Sequence, residues 1–320
     1  MQLGFVSDIL PELSLENILS FVRREGFTIV EIKCWKALPE NRRYTCGAHL
    51  DVSSFTKLKA ESLLTRCRVQ NVSISALEAY PIMLDVDHIK SLLAIKRFRK
   101  TVTAAKSLGL QYVSVFIGRD QAKSIDANWS TFLRICRPLV KYAAQRDVKI
   151  CIKTSTSAFH HEFHPVGENL LSSHFLWRRL FIDIPTPHLG LDCDPISLIA
   201  HGMDPLLILE EFKTRIFTVH VKIAIADPAS PTESGTLCFP SHANPPAIHH
   251  SDRIGWREYS QALLDMGYEG PVCIQIDGSG IKGPLEKRMG ALREARTMLA
   301  SCLSSPELYR PAYQSAIRIA

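Results

Sequence analysis

No apolar run in this 320-residue chain reaches the ~18 residues that a membrane-crossing helix needs, so a membrane-spanning role is excluded from the reading. The opening residues, "MQLGFVSDIL", carry no basic stretch ahead of an apolar core, and the expected compartment is the cytoplasm. Cysteine is present without a framework: the nine are an odd number and lack CxxC spacing, which argues against a disulfide scaffold and a structural zinc site. Cys151, Cys193 and Cys273 fall inside strand-like runs, where a thiol behaves as a small hydrophobe. Nor is there a dominant charge, since the net +6 is modest for the length and its lysines and arginines are spread along the chain. The densest basic run, "KRFRK" at Lys96–Lys100, sits in an amphipathic helical pattern and reads as a solvated face, so no nucleic-acid partner is expected. With 46% hydrophobic and 22% charged residues, no segment is biased enough for disorder and a large core can form.

What the chain does have is rhythm. Apolar strand-like runs at Leu3–Val6, Thr28–Ile32, Val72–Leu77, Tyr112–Ile117, Lys149–Ile152, Leu189–Cys193, Ile216–Val221 and Val272–Ile276 alternate with helical patterns. One such pattern is "SLENILSFVRREG", with Ser14 as N-cap, Glu16 in the first turn and Gly26 as the stop. Eight βα units with short strands apolar on both faces predict a closed (β/α)8 TIM barrel in preference to an open doubly wound sheet. The expected organisation is one barrel over residues 1–302 and a C-terminal tail over 303–320, with a long Pro-, Ser- and His-bearing loop at 224–253 after the seventh strand.

In such a barrel the carboxyl ends of the strands face the active site. Those ends carry Glu31 and Lys33, Glu78 and Tyr80, Arg119 and Asp120, Lys153, Asp194, His220 and Lys222, and Gln275 and Asp277. Any one of these alone reads as a solvated loop residue. Their convergence on one mouth predicts a site for a small-molecule substrate.

The stretches "CWKALPENRRY", "FIGRDQAKSIDANW", "WRRLFIDIPTPHLGLDCDP", "HGMD", "FKTRIFTVHVK" and "GYEGPVCIQID" together cover about residues 1 to 300. In combination they resemble the xylose isomerase-like TIM barrels of the sugar phosphate isomerase/epimerase group, which includes inosose dehydratases and hydroxypyruvate isomerases. The resemblance implies one divalent metal held by a Glu, an Asp, a His and a second Glu at four strand ends. Here the Asp position falls on Asp194 in "LDCDP" and the His position on His220 in "TVHVK". The first Glu position falls on Lys153 in "CIKTS" and the second on Gln275 in "CIQID". The His expected after the Asp falls on Ser197, and the acid expected after the "HVK" lysine falls on Ile223. The resemblance also implies substrate contacts from Glu31, Trp35, Tyr80, Arg119, Asp120 and Lys222.

Replacing two metal-binding carboxylates with an amide and an ammonium changes the local charge by about three units, so no metal and no cofactor is expected in this site. Asp277, Asp252 or the histidines of "FHHEFH" are the possible substitute ligands; that run reads as surface histidines, with His161 counted among the substrate contacts. Lys153 is expected to pair with Asp194. The reading that follows is a metal-independent acid/base enzyme, an isomerase, epimerase, dehydratase or cyclase of an oxygenated small molecule, in a specialised biosynthetic pathway. Lys153 would hold a developing oxyanion and Asp194, His220 or Asp277 would move the proton, with Gln275 beside them. The alternatives are a silent small-molecule-binding or scaffolding barrel, and a metal-dependent isomerase with substitute ligands. A homo-oligomer is compatible with the tail. A Schiff-base role for Lys153 ranks last, because a neighbouring carboxylate raises its pKa.

Overall fold

The structure, a computed structural model, describes residues 1–34, 48–154, 169–223, 255–276 and 283–303. Each strand is too short to bury both faces alone, and the eight solve this by pairing in parallel with both neighbours until the first meets the last. In chain order they are β1 (Gln2–Val6), β2 (Ile29–Lys33), β3 (Ser73–Ala79), β4 (Tyr112–Val115), β5 (Lys149–Lys153), β6 (Leu189–Cys193), β7 (Ile216–Ile223) and β8 (Pro271–Ile276). The connecting helices are α1 (Leu15–Arg24), α2 (Lys57–Gln70), α3 (His88–Ser107), α4 (Ile125–Ala144), α5 (His174–Asp183), α6 (Pro195–Ala200), α7 (Pro205–Phe212) and α8 (Trp256–Asp265), with α9 (Leu285–Leu303) after β8. The closed (β/α)8 barrel is the predicted fold. The spacing G-x-G-x-x-G does occur, at Gly278, Gly280 and Gly283, but it follows the last strand of a closed barrel and lacks the open sheet that gives it meaning.

Local signals set the helix ends. Ser14 caps α1 by accepting from Asn17 N at 3.2 Å, and Gly26 ends it with φ +73°. Gly109 and Gly267 terminate α3 and α8 with φ near +70° in the same way. Strand ends are less faithful to the reading. β3 and β7 run two residues past their expected ends, to Ala79 and Ile223, because their last inward positions carry Glu78 and Lys222.

The main hydrophobic core lies between the barrel's outer face and the helices. Inside the barrel the apolar packing is slight: Val6, Ile29 and Cys273 form a small separate cluster. Gly190 belongs to the inner wall, where a Cβ would strike the Arg215 carbonyl and the Phe217 ring. The seven cysteines of the described residues are unpaired and six are buried, Cys151, Cys193 and Cys273 among them. No described helix is long and apolar enough to cross a membrane. The loop at 224–253 and the tail from 304 lie outside the described residues.

Candidate active site

Side chains alternate along a strand, so the inward rows can be read from the register. Lys149, Cys151 and Lys153 share one face of β5, and Lys153 is the register partner of Asp192 on β6. The ladder shifts twice, between Val30 and Glu31 on β2 and between Leu191 and Asp192 on β6. Irregularities of this kind re-aim the residue that follows. Both shifts sit directly before a carboxylate that enters the site.

Lys153 stands at the centre. Its Nζ is 2.6 Å from Glu78 Oε1, 3.0 Å from His220 Nδ1 and 3.6 Å from Asp192 Oδ2. The imidazole bridges onward: Nε2 lies 2.8 Å from Glu31 Oε2, and Nδ1 lies 3.3 Å from Asp192 Oδ2. Ser114 on β4 donates its hydroxyl to the same Asp192 oxygen. All of these side chains are buried, none above 2% exposed. Tyr80 closes one side, donating to Glu78 Oε1 at 2.8 Å and receiving from Gln275 Nε2 at 3.4 Å. Its ring also faces two ammoniums, Lys33 at 4.6 Å and Lys153 at 5.4 Å.

Two further pairs flank the centre. Lys33 Nζ meets Asp8 Oδ2 at 2.7 Å, just beyond the end of β1. Lys222 Nζ meets Asp194 Oδ2 at 3.1 Å and Ser197 Oγ at 3.0 Å, and the Ser197 hydroxyl donates to Asp194 at 2.6 Å. Asp194 is the N-cap of α6, accepting from Ser197 N. The expected Lys153–Asp194 pair is therefore corrected. β6 ends at Cys193, so Asp194 stands one layer above the pair's register and belongs to the helix cap, while Asp192 is the carboxylate beside Lys153.

The cluster is charge-imbalanced. Five buried carboxylates, Asp8, Glu31, Glu78, Asp192 and Asp194, face three ammoniums, Lys33, Lys153 and Lys222, and one imidazole. Among the described residues, four of the carboxylates keep one buried oxygen with no hydrogen-bond partner: Asp8 Oδ1, Glu31 Oε1, Glu78 Oε2 and Asp192 Oδ1. Burial raises the pKa of Glu31, helped by the Asp192 and Glu78 charges and opposed by His220. Burial also raises Asp8, against the pull of Lys33. Glu78 goes the other way: burial would raise it, but Lys153 and Lys33 bring it down to about 2. Burial would lower Lys153, yet the surrounding anions, Glu78 first, carry it well above an ordinary lysine. His220 is likewise raised, its burial outweighed by Asp192 and Glu31.

Glu31, Asp192 and His220 each offer one donor atom, and the three lie within 4.8 Å of one another. Two carboxylates and an imidazole are a competent donor set for a divalent ion. In this arrangement the Lys153 ammonium stands beside the three donors, 3.0 Å from His220 Nδ1 and 3.6 Å from Asp192 Oδ2.

Of the residues singled out in the sequence, Lys153, His220, Glu31, Tyr80 and Gln275 come together in one cluster, with Asp194 and Lys222 beside it. Asp120 does not join them: it receives Ala122 N at 3.0 Å and Lys123 Nζ at 2.8 Å, and with Asn128 it braces the loop after β4. Arg119 is buried beside that loop and lines a separate cavity of about 300 Å3 with Phe116 and Ile82. Trp35, His161 and Asp277 lie outside the described residues. Asp192, Ser114 and Asp8 were not singled out. Alternation in "LGLDC" carried the signal for Asp192, since it shares the inward row with Gly190; Ser114 and Asp8 left none.

The fold and this charged mouth define a barrel whose carboxyl end gathers ionisable groups from six of its eight strands or the turns that follow them. The sequence profile described as xylose isomerase-like TIM barrel matches residues 19–302, and the chain belongs to that family. It is 24% identical over 299 residues to the uncharacterized protein YfiH of Bacillus subtilis (strain 168), covering 87% of this chain and 93% of that one. Among solved structures it is similar to D-psicose 3-epimerase from Clostridium cellulolyticum H10 with D-tagatose, with a TM-score of 0.66, 12% identity, and coverage of 95% of this chain and 100% of that one. It is also similar to the IOLI protein with a bound zinc atom, with a TM-score of 0.65, 16% identity, and coverage of 95% and 100%.

Proposed function

We propose that the chain is an acid/base enzyme, an isomerase, epimerase, dehydratase or cyclase, that acts on an oxygenated small molecule without a divalent metal. The observation that carries this reading is the Lys153 ammonium held between Glu78 and His220 at the centre of a carboxylate-rich mouth. Two of its hydrogens are taken by those partners. The third has Asp192 at 3.6 Å, beyond hydrogen-bond reach, and is the one a substrate carbonyl or enolate oxygen would receive. His220 and Glu31 share a hydrogen bond and both have raised pKa values, so this pair can take a proton from carbon or oxygen and return it. The unpartnered oxygens of Glu31, Glu78, Asp192 and Asp8 suit substrate hydroxyls, which supply the missing donors. A structural plug would gain nothing from leaving them unsatisfied, which weighs against a silent barrel. Attack by Lys153 on a carbonyl is disfavoured because its neighbours hold it charged.

A second reading rests on the spacing of Glu31, Asp192 and His220, which would hold a divalent ion if Lys153 withdrew. Elemental analysis and solvent-deuterium exchange separate the two. Metal-depleted protein incubated in D2O with ketohexoses, D-tagatose included, should exchange hydrogen next to the carbonyl, read by proton NMR. Lys153→Met and His220→Ala should each reduce that exchange by about 100-fold or more. A stoichiometric divalent metal lost in His220→Ala, with exchange that returns only on adding the ion, would overturn the metal-free reading.

A further inference from the structure

The opposite end of the barrel holds a cavity of about 600 Å3, ringed by the starts of the strands and by the turns that precede them. One lysine stands at its wall. Lys149, the first residue of β5, is half-buried, with its ammonium 5.0 Å from the centre of the Phe217 ring and 5.8 Å from that of Tyr112. Among the described residues its Nζ makes neither an ion pair nor a hydrogen bond. The two rings lie 6.1 Å apart, and both line the cavity together with Lys149. The charged groups lining the cavity are Lys149, Lys213 and Glu269, an excess of one positive charge.

A positioned ammonium with apolar faces beside it and no counter-ion is half of an ion pair. We propose that this amino-terminal cavity is a second ligand site, separate from the mouth, that takes a small organic carboxylate with an apolar or aromatic body. The carboxylate pairs with Lys149, and the body lies against Tyr112 and Phe217. Lys149 and Lys153 share one inward row of the same strand, about 13 Å apart at 3.3 Å per residue, so the two sites occupy opposite ends of one barrel axis.

The probe is 4-fluorobenzoate, titrated into the full chain and followed by fluorine NMR. Saturable broadening is expected, with the neutral 4-fluorobenzyl alcohol weaker by about tenfold or more. Lys149→Met, which keeps the aliphatic stem, should weaken 4-fluorobenzoate to the same degree. Ser73→Trp, at an exposed position on the cavity rim, should weaken it without lowering the melting temperature. Arg119→Met, at the other end of the barrel, should leave it unchanged. The proposal is overturned by the absence of saturable binding, by equal binding of the alcohol, by binding that survives Lys149→Met, or by loss in Arg119→Met instead.

Discussion

Lys153 lives where a lone ammonium could not. Its desolvation is offset because Glu78 and His220 bond it and Asp192 stands near, so the ion and its partners are stable only together. Removing one member leaves an uncompensated buried charge, an effect of about 3–5 kcal/mol. Lys153→Met and Glu78→Gln should each be strongly destabilising in urea denaturation. The double variant should cost less than the sum of the singles by at least about 1 kcal/mol, since the second change removes the charge orphaned by the first. Strict additivity would mean that the two groups do not act as a pair.

At the scale of elements, α9 shows how a helix outside the barrel can close it. Arg288 is 1% exposed, and its guanidinium bonds the Ile9 carbonyl at 2.6 Å, the Gly283 carbonyl at 3.0 Å and the Glu12 carboxylate. It thus ties the last helix to the turn after the first strand, beside Asp8. Arg288→Met should cost about 2–4 kcal/mol, because buried carbonyls lose a charged donor. Arg293 lies on the same helix and pairs with Glu25 at 2.8 Å in a half-exposed setting, and its loss should cost far less. Chemical denaturation of both variants checks the contrast.

The whole molecule responds to pH through groups that pull in opposite directions. Glu78 has a folded value lowered from 4.5 to about 2, so its contribution is complete above the unfolded value and is lost as pH falls through that interval. Glu31, Asp8 and His220 have raised values, so theirs are complete below the unfolded values and are lost as pH rises through the folded ones. Melting temperature should therefore decline on both sides of an optimum. Glu78→Gln should flatten the acid limb, and Glu31→Gln the alkaline one. A melting profile in which Glu78→Gln falls as steeply in acid as the unaltered chain would show that Glu78 does not govern that limb.

Eight apolar runs and their capping residues determined the barrel, because hydrophobic period, Ser14 and glycines such as Gly26 act within a few residues of themselves. The same runs located the mouth and brought Lys153, His220 and Glu31 to notice. Which carboxylate meets Lys153 was decided by register: Asp192 and Asp194 look alike in "LDCDP", yet one faces inward beside β5 and the other caps a helix. Glu78 reaches Lys153 across 75 positions of sequence, and Glu31 reaches His220 across 189. Such pairings exist only once the cylinder closes, since strand order and ladder shifts are properties of the sheet and of no single segment.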